Sequence, residues 1–257
     1  IYCDATVMST ASHLPYYYNG LKFFTREGGL ESSDIRDIIA LVDEKEELPQ
    51  GSVSTIEVKS IFERYSRHLV ELIRKGSQSE KEKPLEGLHI IVDAGNGAGG
   101  FFAKSVLEEL GAKTEGSQFL DPDGAFPNHI PNPDNKEAME SIKKQVLAVN
   151  ADYGVIFDTD VDRAAVVTGS EELLNRNNLI AVLSVIVISE HPGTTIVTNS
   201  PTTEHLKKFI MKLGGHQYRY ISGYRNVINK AIELNNQGID CQLAIETSGH
   251  AAFKENY

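Results

Sequence analysis

The spacing of apolar residues changes repeatedly along the chain, and each change predicts a new element of secondary structure. Short runs rich in β-branched residues predict strands, whereas stripes spaced by three and four residues predict helices. The predicted strands cover residues 5–10, 21–25, 88–92, 153–157, 164–168, 195–198, 217–221 and 242–245. A first helix is predicted to begin near Ser32 or Ser33, and a second at a capping box from Ser54 to Glu57. Five further predicted helices cover residues 101–110, 136–149, 177–188, 203–213 and 226–235.

Polar stretches divide these elements into three units. The acidic run 43–47 and the polar stretch 75–83 contain few apolar residues and are typical of solvated connections. From residue 88 onward strands alternate with helices, which predicts mostly parallel sheets and, for the whole chain, an α/β tandem of similar domains with mixed or parallel sheets. We expect part of a first domain over 1–76, a second domain over 77–190 and most of a third over 191–257.

Composition narrows the class of protein. At 257 residues, with 40% hydrophobic and 24% charged residues, the chain has the make-up of a globular protein. The net charge of −11 argues against nucleic acid or an anionic membrane surface as a partner, and no apolar run reaches membrane-spanning length. The widely separated Cys3 and Cys241 indicate a reducing compartment without disulfides. We therefore expect a soluble intracellular protein, and the missing start methionine indicates a piece of a longer chain.

Three aspartates at alternate positions form the most informative motif. Asp158, Asp160 and Asp162 directly follow the predicted strand 153–157, and Arg163 comes next. Three negative charges within five residues repel one another unless a cation lies among them, and oxygen ligands select a hard ion. The loop therefore predicts a Mg²⁺ site, with a solvated acidic turn as the alternative.

A loop near the start carries a candidate nucleophile. Ser12 stands beside His13 after the predicted strand 5–10, and Lys22 lies about ten residues further on. Serine, histidine and lysine in this arrangement suit a nucleophile with acid–base partners. A turn whose serine binds the local backbone explains the same residues, so both interpretations stay open.

A glycine loop, residues 93–100, lies between a predicted strand and a predicted helix. Gly95, Gly97 and Gly100 have the GxGxxG spacing of dinucleotide sites, which predicts either a nicotinamide-binding module or a tight strand-to-helix turn. The proline-rich loop 126–133 holds His129, which we interpret as structural.

Two later loops carry polar residues at the ends of predicted strands. Glu246 and Ser248 follow the strand 242–245 at alternate positions, where they suit the hydroxyls of a sugar. An ordinary capped turn is equally consistent with these two residues. Arg225 follows the strand 217–221 and predicts either a basic substrate contact or an ordinary surface arginine.

Together these loops resemble the α-D-phosphohexomutase family, which comprises phosphoglucomutases, phosphomannomutases and phosphoglucosamine mutases. The resemblance covers the whole chain in the family's order and rests on residues 10–13 with Asn19, Gly20 and Lys22, on the glycine loop, and on residues 126–129, 131–133, 158–163 and 246–250. The metal and serine loops carry most of its specificity. It implies four domains in a full-length member, so we expect this chain to lack the C-terminal phosphate-binding domain.

The resemblance also implies a mechanism. Ser12 would carry a phosphoryl group, and Asp158, Asp160 and Asp162 would hold Mg²⁺ with a phosphoserine oxygen as a further ligand. Hexose 1-phosphate and hexose 6-phosphate would interconvert through a hexose 1,6-bisphosphate. The other implied assignments are Lys22 as general base or acid with His13 assisting, and Arg163, Arg225, Glu246 and Ser248 as substrate contacts.

Departures from the family pattern leave rivals open. Leu14 stands where many members have asparagine, and nothing matches the phosphate-gripping loop of the fourth domain, so we expect slow or no turnover from this chain alone. The alternatives are a haloacid-dehalogenase-like phosphatase with Asp158 as nucleophile and a truncated homologue that only binds a sugar phosphate. The serine loop and the last residues are most similar to plant or algal members, which implies the cytoplasm or the chloroplast.

Overall fold

The computed structural model describes residues 3–12, 14–26, 28–44 and 56–256, and these residues form three sheets and six α-helices. The strands are β1 (Ala5–Ser9), β2 (Leu21–Thr25), β3 (Gly28–Gly29), β4 (Ile90–Asp93), β5 (Tyr153–Phe157), β6 (Ala164–Thr168), β7 (Leu173–Leu174), β8 (Thr195–Asn199), β9 (His216–Tyr220), β10 (Cys241–Ile245) and β11 (Ala251–Phe253). The helices are α1 (Ser32–Asp43), α2 (Phe62–Gly76), α3 (Lys136–Val149), α4 (Arg176–Glu190), α5 (Glu204–Lys212) and α6 (Tyr224–Asn236). None of the helices in this described part has the length and the apolar character that a membrane span needs.

The first unit consists of β1, β2, β3 and α1, and none of the residues 3–12, 14–26, 28–42 and 44 is buried. Its strands are antiparallel, with Met8 of β1 opposite Lys22 of β2. α1 begins where the sequence predicts, but its N-cap is Glu31 rather than Ser32 or Ser33. The reason is a capping box with Asp34, whose carboxylate accepts the N–H of Glu31 at 2.7 Å.

The start of α2 differs from the prediction. The helix begins at Phe62, whereas the predicted capping box runs from Ser54, which lies outside the described residues, to Glu57, which precedes the helix. Val58 is 92% exposed, whereas Val70 is buried against the second unit. Because most helical stability comes from packing an apolar face, the helix forms only where that face meets a partner.

The second unit has the strand order β4-β5-β6-β7. Only β4 and β5 are parallel, so this sheet is mixed, in agreement with the predicted fold class of mixed or parallel sheets, although it is not mostly parallel as the alternation of strands and helices predicts. The loop 158–163 between β5 and β6 is too short for the crossover that a parallel connection requires. A π-helical turn over Ala103–Leu107 interrupts the helix predicted over 101–110. α3 buries Ile142 and Val146 against the sheet.

The third unit has the strand order β11-β10-β8-β9, with β8, β9 and β10 parallel and β11 antiparallel at the edge. α4 and α5 pack on one face around Ile196 and Leu243, and α6 packs on the other face around Val197. Parallel strands present their carboxyl ends at one edge of a sheet. Asn199 at the end of β8 and Glu246 just after β10 therefore lie on the same edge.

Candidate functional site

The metal loop, residues 158–163, is the tight connection between the antiparallel strands β5 and β6. Asp158 organises it, because its Oδ1 accepts the N–H of Asp162 at 3.1 Å and the N–H of Arg163 at 3.0 Å. Val161 has a φ of +64°, a left-handed conformation that costs roughly 1–2 kcal/mol per residue. The hydrogen bonds of Asp158 hold this strained turn in place.

The three aspartates of the metal loop lie together. Asp158, Asp160 and Asp162 each place a carboxylate oxygen within 4.8 Å of the others. Asp158 is fully buried, and neither its Oδ2 nor the buried Oδ1 of Asp160 has a hydrogen-bond partner within the described part of the chain. Buried carboxylate oxygens without a partner are costly, and a hard cation satisfies them. The residues present therefore fit Mg²⁺.

The pKa values within this cluster reflect its charge. Burial, followed by the hydrogen bond and charge of Asp162, raises the pKa of Asp158 above its ordinary range. Burial alone would raise the pKa of Asp162, but the hydrogen bond with His250 and other contacts outweigh burial. The pKa of Asp162 is therefore lowered. Arg163 Nε lies 3.9 Å from Asp158 Oδ2 and supplies a positive charge beside the cluster. The remaining negative charge favours a bound cation.

The glycine loop supports the metal loop through close backbone contacts. The N–H of Ala98 donates to the carbonyl of Thr159 at 2.9 Å. A Cβ at Gly97 would lie 2.8 Å from that same oxygen, and a Cβ at Gly100 would lie 1.8 Å from the carbonyl oxygen of Leu120. Protein backbone fills the space in front of these glycines. The nicotinamide-binding alternative therefore has no room for its ligand here.

A buried pair joins the proline-rich loop 126–133 to the glycine loop. His129 Nε2 lies 3.0 Å from Asp93 Oδ1, and the two side chains are 4% and 0% exposed. A Cβ at Gly95 would lie 2.9 Å from the Cβ of Pro131, so the two loops approach each other closely. His129 is structural, in agreement with the sequence interpretation.

The serine loop, residues 10–20, contacts the metal loop directly. Thr10 Oγ1 donates to Asp160 Oδ2 at 2.9 Å and accepts the N–H of Ser12, also at 2.9 Å. Ser12 itself has a left-handed φ of +54°. The hydroxyl of Thr10 thus joins the backbone of the candidate nucleophile to a candidate metal ligand. Sequence reasoning assigned no role to Thr10, because an uncharged hydroxyl beside a motif gives little signal of its own.

A cleft of about 720 Å³ opens between the serine loop and the metal loop. Ser12 and Asp160 line it together with apolar side chains that include Leu14, Tyr16 and Phe101. A cleft of this volume is typical of sites for small molecules. His13, the predicted acid–base partner, lies outside the described residues.

Lys22 and Arg225 lie at the contact between the first and third units. The Nζ of Lys22 is 6.0 Å from the centre of the Tyr224 ring. Arg225 donates from Nη1 to the carbonyl of Leu30 at 2.8 Å and from Nη2 to the carboxylate of Glu31 at 2.6 Å. The guanidinium of Arg225 is therefore bound by the first unit.

The terminal loop, residues 246–250, connects β10 to β11. Glu246 is buried, its N–H donates to the carbonyl of His250 at 2.8 Å, and its Oε1 accepts the N–H of Gly223 at 2.7 Å. Ser248 Oγ lies 3.2 Å from His250 Nδ1. Hydrogen bonds within the protein thus fix the orientation of both residues that the sequence predicts as substrate contacts.

His250 joins the terminal loop to the metal loop, a role that the sequence analysis does not assign. Its Nε2 lies 2.9 Å from Asp162 Oδ2 and 3.3 Å from Arg163 Nε. The N–H of Arg163 Nε donates to His250 Nε2, so the guanidinium and the imidazole contact each other directly beside Asp162. The only sequence signal is the position of His250 at the end of the motif that contains Glu246 and Ser248.

The chemistry of this arrangement follows from its parts. A serine loop is bonded to a cluster of oxygen ligands that fits a divalent cation, and the terminal loop adds fixed polar groups beside that cluster. A hydroxyl nucleophile beside such a cation suits transfer of a phosphoryl group.

Comparisons with known proteins agree on one family. The chain matches the phosphoglucomutase/phosphomannomutase alpha/beta/alpha domain I over residues 1–49, domain II over 63–172 and domain III over 175–257. It is 32% identical over 251 residues to a phosphomannomutase/phosphoglucomutase of Pseudomonas aeruginosa PAO1, a match that covers 98% of this chain and 50% of the relative. A phosphoglucosamine mutase of Sulfurovum sp. is 32% identical over 263 residues, with 98% of this chain and 56% of the relative covered.

A solved structure extends the likeness to the fold. The phosphoglucomutase/phosphomannomutase family protein of Burkholderia thailandensis superimposes with a TM-score of 0.82 at 28% identity, over 99% of this chain and 52% of that one. The chain spans about half the length of the curated relatives that it matches.

Proposed function

Because the chain belongs to the phosphoglucomutase/phosphomannomutase family, we propose that it carries the phosphoryl-transfer site of a hexose phosphate mutase. Such an enzyme interconverts a hexose 1-phosphate and a hexose 6-phosphate. The observation that supports this most directly is the double role of Thr10, whose hydroxyl donates to Asp160 and accepts the N–H of Ser12. The proposed nucleophile and the proposed cation site are thus parts of one hydrogen-bonded assembly.

The proposed reaction begins with a phosphoryl group on Ser12. A free hydroxyl of the hexose phosphate attacks the phosphorus, the bond to Ser12 Oγ breaks, and a base takes the hydroxyl proton. This step leaves free Ser12 and a hexose 1,6-bisphosphate. The other phosphoryl group of the bisphosphate then returns to Ser12, which yields the isomeric hexose monophosphate.

The cation site has ligands that the protein holds in position. The three aspartates of the metal loop would hold Mg²⁺, with a phosphoserine oxygen as a further ligand, and bound Mg²⁺ supplies positive charge to the transferring phosphoryl group. Thr10 donates to Asp160, and His250 faces Asp162. Two of the three ligands are therefore positioned by neighbouring side chains, which limits the reorganisation that binding requires.

The remaining groups would bind the substrate and move its proton. We assign Lys22 as general base or acid with assistance from His13, and Arg163 as a contact for a phosphate group. Glu246 and Ser248 would bind hydroxyls of the sugar, and both are already held by hydrogen bonds. Fixed polar groups of this kind favour the transition state because they need not reorient during the reaction.

Covalent labelling of Ser12 tests this proposal. We expect the chain, incubated with Mg²⁺ and radiolabelled glucose 1,6-bisphosphate, to acquire a stable label that peptide mapping locates on Ser12. The variant S12A and removal of Mg²⁺ with EDTA should each abolish the label. A transient, hydroxylamine-sensitive label on Asp158 would instead support the haloacid-dehalogenase-like phosphatase and contradict the proposal.

Turnover is measured separately from labelling, on the full-length protein primed with glucose 1,6-bisphosphate, with glucose, mannose and glucosamine 1-phosphates as substrates. The relative rates identify the preferred hexose, which differs among the three at C2. Binding of Mg²⁺ and of a hexose phosphate without any label on Ser12 would support the alternative of a homologue that only binds its ligand.

A further inference from the structure

Three consecutive residues at the start of α6, its N-cap Gly223 and its first two helical residues, contact three parts of the candidate site. We call residues 223–225 the coupling turn. Gly223 donates its N–H to Glu246 Oε1 at 2.7 Å. The Tyr224 ring lies 5.5 Å from the His250 ring and 6.0 Å from Lys22 Nζ. The next residue, Arg225, binds the first unit, so the coupling turn touches both the terminal loop and the unit that carries the serine loop.

The contacts of Arg225 use the fork geometry of its guanidinium. Nη1 donates to the carbonyl of Leu30 at 2.8 Å, and Nη2 donates to the carbonyl of Gly29 at 3.0 Å and to Glu31 Oε1 at 2.6 Å. Glu31 is also the N-cap of α1. A planar group with several fixed donors holds such a set of acceptors, whereas the point charge of lysine cannot reproduce it.

The conformation of the coupling turn depends on its glycine. Gly223 has a φ of +123°, which side chains other than hydrogen rarely allow. In this conformation the N–H of residue 223 reaches Glu246, while the following residue begins α6. The position of Arg225 and the position of the Glu246 carboxylate are therefore set by the same short piece of backbone.

We propose that Arg225 is a positioning residue that fixes the first unit against the terminal loop, and that it does not bind substrate. By binding residues 29–31, Arg225 fixes the first unit, and with it Lys22 and the serine loop, in position relative to Glu246 and His250, which the coupling turn contacts. The effect of this positioning on catalysis rests on the proposed function, whereas the contact between the units does not.

Hydrogen exchange in the ligand-free protein tests the contact itself. We expect the variant R225K to exchange the backbone amides of β2 and β3 about threefold to tenfold faster than the unsubstituted chain, because charge-assisted hydrogen bonds to the first unit are lost. A substrate-binding arginine would leave exchange in the absence of ligand unchanged. Unchanged exchange in β2 and β3 would therefore overturn the proposal.

Arg219 provides a matched control. It lies on β9 of the same unit and donates to the carbonyl of Thr203 at 3.1 Å and to Glu204 Oε1 at 2.6 Å. Like Arg225 it therefore binds a carbonyl and a carboxylate, but both of these partners belong to the third unit. The variant R219K should leave exchange in β2 and β3 unchanged. Equal acceleration in R219K and R225K would indicate general loosening of the third unit and would overturn the proposal.

A second measurement separates positioning from binding. In R225K we expect the rate of Ser12 labelling at saturating glucose 1,6-bisphosphate to fall about tenfold, with the dissociation constant of the bisphosphate changed less than twofold. A weakened dissociation constant with an unchanged saturating rate would identify a substrate contact instead. If the unsubstituted chain is never labelled but the β2 and β3 amides of R225K still exchange faster, the proposed function fails, whereas the positioning of the first unit by Arg225 is supported.

Discussion

The buried pair of Asp93 and His129 is the residue-scale contact that holds two loops of the second unit together. Asp93 Oδ1 also accepts the N–H of Gly95 at 2.9 Å, and Asp93 Oδ2 accepts from Gln118 Nε2 at 2.7 Å. Burial alone would lower the pKa of His129, but the hydrogen bond and the charge of Asp93 outweigh it, so the pKa of His129 is raised. The imidazolium form therefore stabilises the folded chain.

This raised pKa predicts how stability depends on pH. Because His129 titrates higher in the folded than in the unfolded chain, its contribution is fully present below the unfolded pKa of about 6.5 and is lost as pH rises through the folded pKa. We expect the variant H129Q to be roughly 1.5–3 kcal/mol less stable than the unsubstituted chain at pH 6. The difference should shrink as the pH rises. Urea unfolding of both proteins between pH 6 and pH 9 measures this, and a difference that grows with pH would contradict the assignment.

At the scale of elements, the glycine loop acts as a support on which the metal loop is built. Gly97 faces the carbonyl oxygen of Thr159, and Ala98 donates its N–H to the same oxygen. The contact is between two backbones, so a side chain placed there cannot be accommodated by rotating a neighbouring side chain. The position of the metal loop thus depends on a loop that provides none of its ligands.

Substitution of Gly97 by alanine tests this dependence. We expect G97A to weaken Mg²⁺ binding at least tenfold and to lower the free energy of unfolding by about 1–3 kcal/mol, because the added Cβ lies 2.8 Å from a carbonyl oxygen. Calorimetric titration of Mg²⁺ and urea unfolding are the measurements. G124A is the matched control, since no described atom lies within 4 Å of a Cβ at Gly124. Equal Mg²⁺ affinity in both variants would show that the contact is dispensable.

The elements that sequence reasoning predicts best are those with local signals at both ends. α3 has the predicted bounds, because Asn135 caps its start by accepting the N–H groups of Glu137 and Ala138, and Asn150 ends it in a left-handed conformation. β5 and β6 also have the predicted bounds. The late start of α2 and the antiparallel direction of β6 depend on packing and on loop length instead, and the apolar pattern does not reveal them.

The candidate site likewise combines motifs that the sequence reveals with contacts that it does not reveal. The metal loop and the terminal loop stand out in sequence, because acidic and hydroxyl residues directly after apolar strands are unusual enough to notice. Their mutual contacts do not stand out. Thr10 bonds to Asp160 across 150 positions, and His250 faces Asp162 across 88 positions. Contacts at such separations depend on the tertiary arrangement of the three units, so no local pattern predicts them.

At the scale of the whole molecule, the apolar core is distributed unevenly. Within the part of the chain that the structure describes, the five clusters of buried apolar residues lie in α2 and in the second and third units. By contrast, residues 3–12, 14–26, 28–42 and 44 are all half-buried or exposed, and apolar side chains such as Leu21, Leu41 and Val42 are at least 60% exposed. The first unit therefore gains little stability from a core of its own and depends on its contacts with the other two units.

This distribution has a consequence for the behaviour of the protein on heating. The first unit is held in part by the polar contacts of Thr10 and Arg225, and such contacts open at a lower free energy than a buried core does. We expect Ser12 labelling to be lost several degrees below the midpoint of unfolding followed by circular dichroism, and to return on cooling from that range. Coincident transitions for labelling and circular dichroism would contradict this. If labelling is lost first, as we expect, Ser12 lies in the part of the chain that unfolds at the lowest temperature. Heat then inactivates the protein reversibly before the rest of the chain unfolds.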